Sequence, residues 1–331
     1  EIFANAIQIP QIKGLGQINT NIVGRDLNAS NVNIGILSYM ETGITYANAV
    51  KHRDRDLFIV GGAVKFLWGL AGGGVHIDNL DYRIDSTGVF SYSNLTAQTS
   101  ISEQLLGGSG FSGDIGFTYK KMLDNVTNYD PFRRKAGCRI YDYKLKVGMS
   151  IIDVGYVKFK KSTSNSRVEG ASGVLDDFTN LSISSEPRKF LGETLNVADS
   201  LIIEDTSSFT VVVPSAFVFQ YDYNFEKNNM FISVQYMHGL TPSGTFGIQR
   251  PSVLVFTPRY ETRRFELAFS FGMYNLQEMR TGLMVRWGPL TVGTDKLGSF
   301  MGLSDVTGFD IYGHLAFKII HQKRCGKIRF W

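Results

Sequence analysis

Apolar and polar residues alternate with a period of two along most of the chain. The stretch 250–274, RPSVLVFTPRYETRRFELAFSFGMY, shows the pattern most fully. Phe265, Leu267, Phe269, Phe271 and Met273 alternate with Arg264, Glu266, Ala268, Ser270 and Gly272. Before the polar turn Glu261-Thr262-Arg263, Leu254, Phe256, Pro258 and Tyr260 alternate with Val253, Val255, Thr257 and Arg259. A period of two places each set on one face of a strand, so the stretch predicts an antiparallel hairpin. One face is bulky and apolar; the other mixes Gly, Ala and Ser with Arg and Glu. A soluble sandwich and a membrane barrel both remain open on this stretch alone.

The same scheme recurs elsewhere. Residues 40–68 predict a hairpin turning at the polar run Lys51–Asp56. Its return strand sets Phe58, Val60, Val64, Phe66 and Trp68 against Leu57, Ile59, Ala63, Lys65 and Leu67. Phe111, Ile115, Phe117 and Tyr119 oppose Ser112, Asp114, Thr118 and Lys120. Leu145, Val147, Met149 and Ile151 oppose Lys144, Lys146, Gly148 and Ser150, and Asp153 and Gly155 then break the pattern. Phe217, Phe219, Tyr221 and Tyr223 share a face, as do Met230, Ile232, Val234 and Tyr236. Leu283, Val285 and Trp287 oppose Gly282, Met284 and Arg286. The last strand sets Ile311, Leu315 and Phe317 against Asp310, His314 and Lys318.

Lysine, aspartate and arginine on one face make a poor dry core and a good hydrated wall. Repetition along the whole length predicts an all-β fold, a transmembrane antiparallel β-barrel of about 12–14 strands. Residues 1–31 read as an N-terminal segment or plug, 32–320 as the barrel and 321–331 as a basic C-terminal tail. The glycine-rich 69–74 reads as a bend. Residues 121–137 read as a loop. The weakly patterned 162–206 leaves room for helices near 173–181 and 190–200.

Composition bears on this reading at few points. No apolar run is long enough for a membrane-spanning helix, which leaves a barrel untouched. The net charge of +4 over 331 residues is small and mixed in sign, so nucleic acid is not an expected partner. Cys138 and Cys325 form one candidate pair and no disulfide framework; whether they pair is open. No metal-ligand spacing is present and no cofactor is expected. His314, Asp310 and Asp114 are the nearest thing to a catalytic set, without a nucleophile elbow, and the chain is expected not to be an enzyme.

The predicted inward set is Lys65, Asp114, Lys120, Lys144, Lys146, Arg259, Arg264, Glu266, Arg286, Asp310, His314 and Lys318. These groups either pair across the interior and occlude it or line a hydrated passage, since unpaired dry charges are very costly. The predicted lipid-facing or girdle set is Trp68, Phe117, Tyr119, Phe265, Phe269 and Trp287.

Several segments together resemble a family of Bacteroidota outer-membrane β-barrels of unknown function. They are Gly62–Gly72, Gly110–Tyr119, Ser150–Tyr156, Leu283–Thr294 and Phe309–Phe317. More distantly, the architecture is similar to fatty-acid-transporter-type barrels and to barrel subunits of the type IX secretion system. The resemblance implies an outer-membrane barrel, that phylum and an exported mature chain; the expected partners are outer-membrane lipid and lipopolysaccharide, with other envelope proteins as candidates. The functional expectation is a scaffold or accessory subunit of a larger envelope complex. The alternatives are a transport barrel for a small or hydrophobic solute and a soluble β-rich binding protein.

Overall fold

The computed structural model describes residues 2–4, 24–53, 55–85, 89–102, 104–123, 143–160, 163–175, 192, 197–198, 201–226, 228–241, 246–262, 264–300, 310–316, 319–320 and 329–330. Strand β1 is Ile2–Ala4, and two very long strands follow, β2 (Asp26–Arg53) and β3 (Asp56–Ile84). Next come β4 (Phe90–Ser102), β5 (Gly108–Met122), β6 (Tyr143–Phe159), β7 (Thr163–Leu175), β8 (Ile202–Asp205) and β9 (Phe209–Val212). The second half holds β10 (Ala216–Asn224), β11 (Met230–Gly239), β12 (Val253–Glu261), β13 (Phe265–Tyr274), β14 (Glu278–Trp287), β15 (Leu290–Thr294) and β16 (Tyr312–Leu315). A detached pair, β17 (Ile319–Ile320) and β18 (Arg329–Phe330), completes the set. The only α-helix among the described residues is α1 (Leu297–Phe300).

Sixteen of these strands form one sheet, more than the 12–14 expected, and the named strand pairings are antiparallel. The order runs β16-β15-β14-β13-β12-β11-β10-β6-β5-β3-β4-β7-β8, with β2 on the other edge of β3. Among the described residues the sheet is open: β2 and β16 do not pair with each other. Part of the free edge of β2 carries β1, with Phe3 opposite Leu37.

β3 organises the branching. Its lower half, Asp56–Gly69, pairs with β5, whereas its upper half, Gly73–Ile84, pairs with β4. A strand of 29 residues is about 95 Å long. It therefore runs from the lower turns into an upper lobe of β3, β4, β7 and β8. There Phe90, Tyr92, Leu95, Val168 and Val197 build a small separate core.

The long β3 corrects the expected bend at 69–74, which is strand throughout. The glycines serve packing: a Cβ at Gly72 would overlap the ring of Phe159, and one at Gly69 would lie 2.7 Å from Val157 Cγ1. The hairpin also turns later and more tightly than the run Lys51–Asp56 suggested, because Arg53 still pairs with Asp56. The helix expected from 173 is displaced at its start by β7, which continues to Leu175; most of the second expected helix lies outside the described residues. β2 begins at Asp26, inside the segment read as a plug, and most of the rest of that segment is not described. Cys138, Cys325, Lys318 and nearly all of the basic tail also lie outside the described residues.

The two faces of the lower sheet differ as the alternation predicts. On one, side chains stand in open surroundings: Ile44 is 82% exposed, Val64 69%, Ile115 63% and Trp287 76%. One apolar row runs across neighbouring strands from Phe58 through Tyr119, Val147, Tyr221, Val234 and Phe256 to Phe271. The other face holds the buried apolar groups and the ion pairs. At its upper end Leu37, Leu67, Val157, Phe159, Phe209, Val211 and Ile248 pack into one cluster. At its lower end Leu57 and Met122 form a smaller one.

Candidate functional site

The inner face carries two ion-paired clusters, one near each end of the lower sheet. The upper one centres on Lys65. Its Nζ lies 2.7 Å from Asp153 Oδ1, 2.9 Å from Asp114 Oδ2 and 3.9 Å from Glu41 Oε2. β2, β3, β5 and β6 each supply one of these groups. Asp153 is delivered by a bulge. Ile115 and Gly113 of β5 face Ile151 and Val154 of β6, so β6 holds one extra residue there. Asp153 takes φ 57°, the left-handed region that a short polar side chain tolerates better than most. The bulge keeps both Ile151 and Val154 on the open face while turning the carboxylate inward. Its own N–H donates to Asp114 Oδ1 at 2.7 Å.

A strap closes over this cluster. In the connection between β11 and β12, residues 246–250 lie on the inner face, where Ile248 is 2% exposed and Gly247 bridges Val212. Arg250 at its end donates to Asp153 Oδ2 at 3.0 Å. Asp153 is thus shared by a strand lysine and a loop arginine.

The lower cluster spans β6 and β10 to β14. Arg259 Nη2 lies 2.8 Å from Asp222 Oδ2, and the Tyr143 hydroxyl donates to the same oxygen at 2.6 Å. Ser233 donates to Asp222 Oδ1 at 3.1 Å. Glu261 stands between two arginines, 3.3 Å from Arg259 Nε and 3.1 Å from Arg286 Nη2, and Glu266 holds Arg286 Nε at 2.7 Å. The guanidinium of Arg259 also lies over the Phe231 ring, 4.9 Å from its centroid. Low-dielectric surroundings strengthen such pairs and penalise an unpaired member, so the charges here are held in pairs.

Of the expected inward residues, Lys65 and Asp114 meet in the upper cluster, and Arg259, Glu266 and Arg286 in the lower. Lys144 pairs with Glu226 at 3.0 Å by the lower turn after β10. Lys146 and Lys120 are opposed on the inner face of β6 and β5. Arg264 sits in the exposed turn before β13 rather than in a strand. Asp310 precedes β16, and His314 on β16 is exposed. Asp114 is eight strand steps from β16 in the sheet order, so the described fold does not assemble it with those two.

Of the expected outward residues, Trp68, Phe117, Phe265, Phe269 and Trp287 are all on the open face. Tyr119 shares it, its ring tilted against Phe58 with centroids 4.8 Å apart and its hydroxyl donating to Asp56 at 2.7 Å. Asp153, Arg250, Asp222, Glu261 and Tyr143 escaped the sequence reading. Asp222 was recoverable, since it alternates with Tyr221 and Tyr223. Asp153 registered only as a break, and nothing local marks Arg250.

Residues 12–295 match a family described as a family of unknown function, DUF5723. The chain belongs to that family. No curated protein matches it. Within this DUF5723 chain the matched span covers both clusters, from Glu41 to Arg286, together with every strand from β2 to β15. The β16 strand and the pair β17–β18 lie beyond it. Among the described residues no group of three or more His, Cys, Asp or Glu is arranged to hold a metal ion.

Proposed function

We propose that this DUF5723 chain is an integral outer-membrane β-barrel of a Bacteroidota envelope, acting as a scaffold or accessory subunit of a larger envelope complex. One observation carries the reading: the open face is apolar across seven neighbouring strands while the opposite face holds the ion pairs. Soluble monomers seldom expose a contiguous apolar patch beyond a few hundred Å². The apolar stretch of β3, Phe58 to Trp68, measures about 33 Å along the strand, or about 25 Å in height at a tilt near 40°. That height suits an outer-membrane hydrocarbon band. Trp68 and Trp287 lie at opposite ends of it, where aromatic girdles belong. In this reading the edges of β2 and β16 are brought together in the bilayer, and lipid and lipopolysaccharide cover the open face.

The scaffold role follows from the interior. The upper apolar cluster, the strap and the two ion-paired clusters fill much of the inner face with the chain's own groups. Other envelope proteins are the expected partners. The test is expression in a Bacteroidota host with membrane fractionation and gel mobility before and after heating. Outer-membrane recovery, a heat-dependent mobility shift and stoichiometric co-purifying proteins support the proposal. Recovery in the soluble fraction without a shift removes it.

A second reading, a transport barrel for a small or hydrophobic solute, has one observation in its favour: the inner face is not filled between the clusters. Steady conductance in planar bilayers, altered by changing Arg259 and Arg286, selects it over the scaffold.

A further inference from the structure

Between the two ion-paired clusters the inner face contains a hollow of about 270 Å³. Its floor includes Ala47, Ile59, Gly61, Thr118, Gly148 and Gln220, from β2, β3, β5, β6 and β10. The volume is just below the range of about 300–1,000 Å³ that holds drug-sized ligands, so it suits a small one. Gly148 differs from its neighbours. A Cβ at Gly116 would lie 2.7 Å from Ser150 Cβ, so packing there demands glycine. A Cβ at Gly148 would meet nothing closer than 3.6 Å. The protein's own packing leaves that space open.

Two lysines lie just below the hollow, outside its lining. Lys120 and Lys146 are direct cross-strand partners, each two residues along from Thr118 and Gly148 on the same face. Like charges directly opposite each other across strands are destabilising. On its other side Lys146 is opposite Asp222. The two oxygens of Asp222 already accept from Ser233, Tyr143 and Arg259. No ion-pair partner of Lys146 is found among the described residues. A lysine stem is long and flexible enough to return its ammonium toward the floor two residues away.

We infer that this hollow binds a small single-headed organic anion, a carboxylate with a short apolar body. The head group sits at Lys146 beside Lys120, and the body covers the floor around Gly148. The floor offers aliphatic surface and the neutral groups of Thr118 and Gln220, and the lysine pair places the cations just below it. This arrangement fits an amphiphile better than a sugar or a polyanion. The inference rests on the barrel reading, in which this face is the interior.

The test uses the full chain in lipid nanodiscs, titrated with octanoate labelled with carbon-13 at the carboxyl and followed by NMR. Gel mobility on heating is measured first for every variant. Saturable binding is expected for the native chain, with Lys146→Gln at least tenfold weaker, Lys146→Arg close to native and Gly148→Leu without binding. Absence of saturable binding by a heat-modifiable native chain overturns the inference and leaves the barrel reading intact. So does native-like affinity in Lys146→Gln, which adds no volume and decides the matter even where Gly148→Leu does not assemble. A native chain that shows no heat shift removes the barrel reading instead, and the site with it.

Discussion

Arg250 donates to Asp153 at 3.0 Å, joining the end of the β11–β12 strap to the bulge of β6 across 97 positions of sequence. Asp153 is 14% exposed at its side chain and also holds Lys65 at 2.7 Å. Removing its charge takes the nearest carboxylate from Lys65, leaving it Asp114 at 2.9 Å and Glu41 at 3.9 Å, and breaks the ion pair with Arg250. Breaking a buried pair costs about 3–5 kcal/mol, and residual exposure places this case near the lower end. Asp153→Asn keeps a residue that tolerates the left-handed backbone. Its expected loss of about 3 kcal/mol, read by denaturant unfolding in detergent, isolates the charge. Asp153→Gly relaxes the backbone as well and is expected to cost less than its lost contacts imply. A double-mutant cycle of Asp153→Asn with Arg250→Met should show coupling above 1 kcal/mol. Additivity would mean that the Arg250–Asp153 pair does not hold the strap, which then rests on the packing of Phe246 and Ile248 and its backbone bonds to Val212.

The glycines of β3 make a second case. Gly72→Ala drives a methyl into the Phe159 ring, and overpacking of this kind costs about 1–3 kcal/mol. Phe159→Leu opens a gap in the upper cluster and is destabilising alone. Combined, the two changes are expected to offset each other, giving a double variant more stable than either single one. Unfolding midpoints of the four proteins measure this. Two losses that simply add would mean that the Phe159 ring is not what requires glycine at position 72.

How much of this was legible depended on whether the signal is local. The parity of Phe265, Phe269 and Trp287 is carried by each strand's own alternation, and the open face follows from it. Lys65 and Asp114 were visible as charges at inward positions for the same reason. Their partner Asp153 was not, because a bulge shifts parity and reads as noise in a period of two. Arg250 sits in a loop, and its reach to β6 depends on a tertiary contact that no period records. Gly72 misled in the opposite direction: glycine runs signal bends locally, while here their cause is a ring from a strand 87 positions later.

The orientation of the sheet is tested by two adjacent residues. Phe269 is 42% exposed on the open face, and Ser270 faces inward against Gly282. An arginine facing lipid near the midplane costs about 2–4 kcal/mol. In the proposed barrel Phe269 faces lipid, and Phe269→Arg is therefore expected to reduce the heat-modifiable band severely. Ser270→Arg enters the opposite face, the lumen of the proposed barrel, close to Asp295, whose Oδ1 would lie 3.0 Å from a Cβ at Gly282. It is expected to assemble at near-native yield. The reverse outcome would show the sheet to be inside out.

Asp295, just after β15, supplies a pH prediction. Burial raises its carboxyl above the ordinary value, the charge of Asp310 raises it further, and Arg280 pulls against both. The sign is opposite to that of a salt-bridged aspartate. A carboxyl raised on folding favours the protonated native state, so its contribution to stability is present at low pH. That contribution is lost as pH rises from the unfolded value through the folded one. Replacing Asp310 with Asn removes the second cause and leaves burial in place. Asp295 should then titrate lower than in the native chain and still above an unperturbed aspartate, and the decline in stability across that window should shrink. Carbon-13 NMR of the Asp295 carboxyl, with unfolding measured over the same pH range, reads both effects. An Asp295 titration unmoved by Asp310→Asn would mean that the two carboxylates do not sense each other and that burial, opposed by Arg280, sets the value.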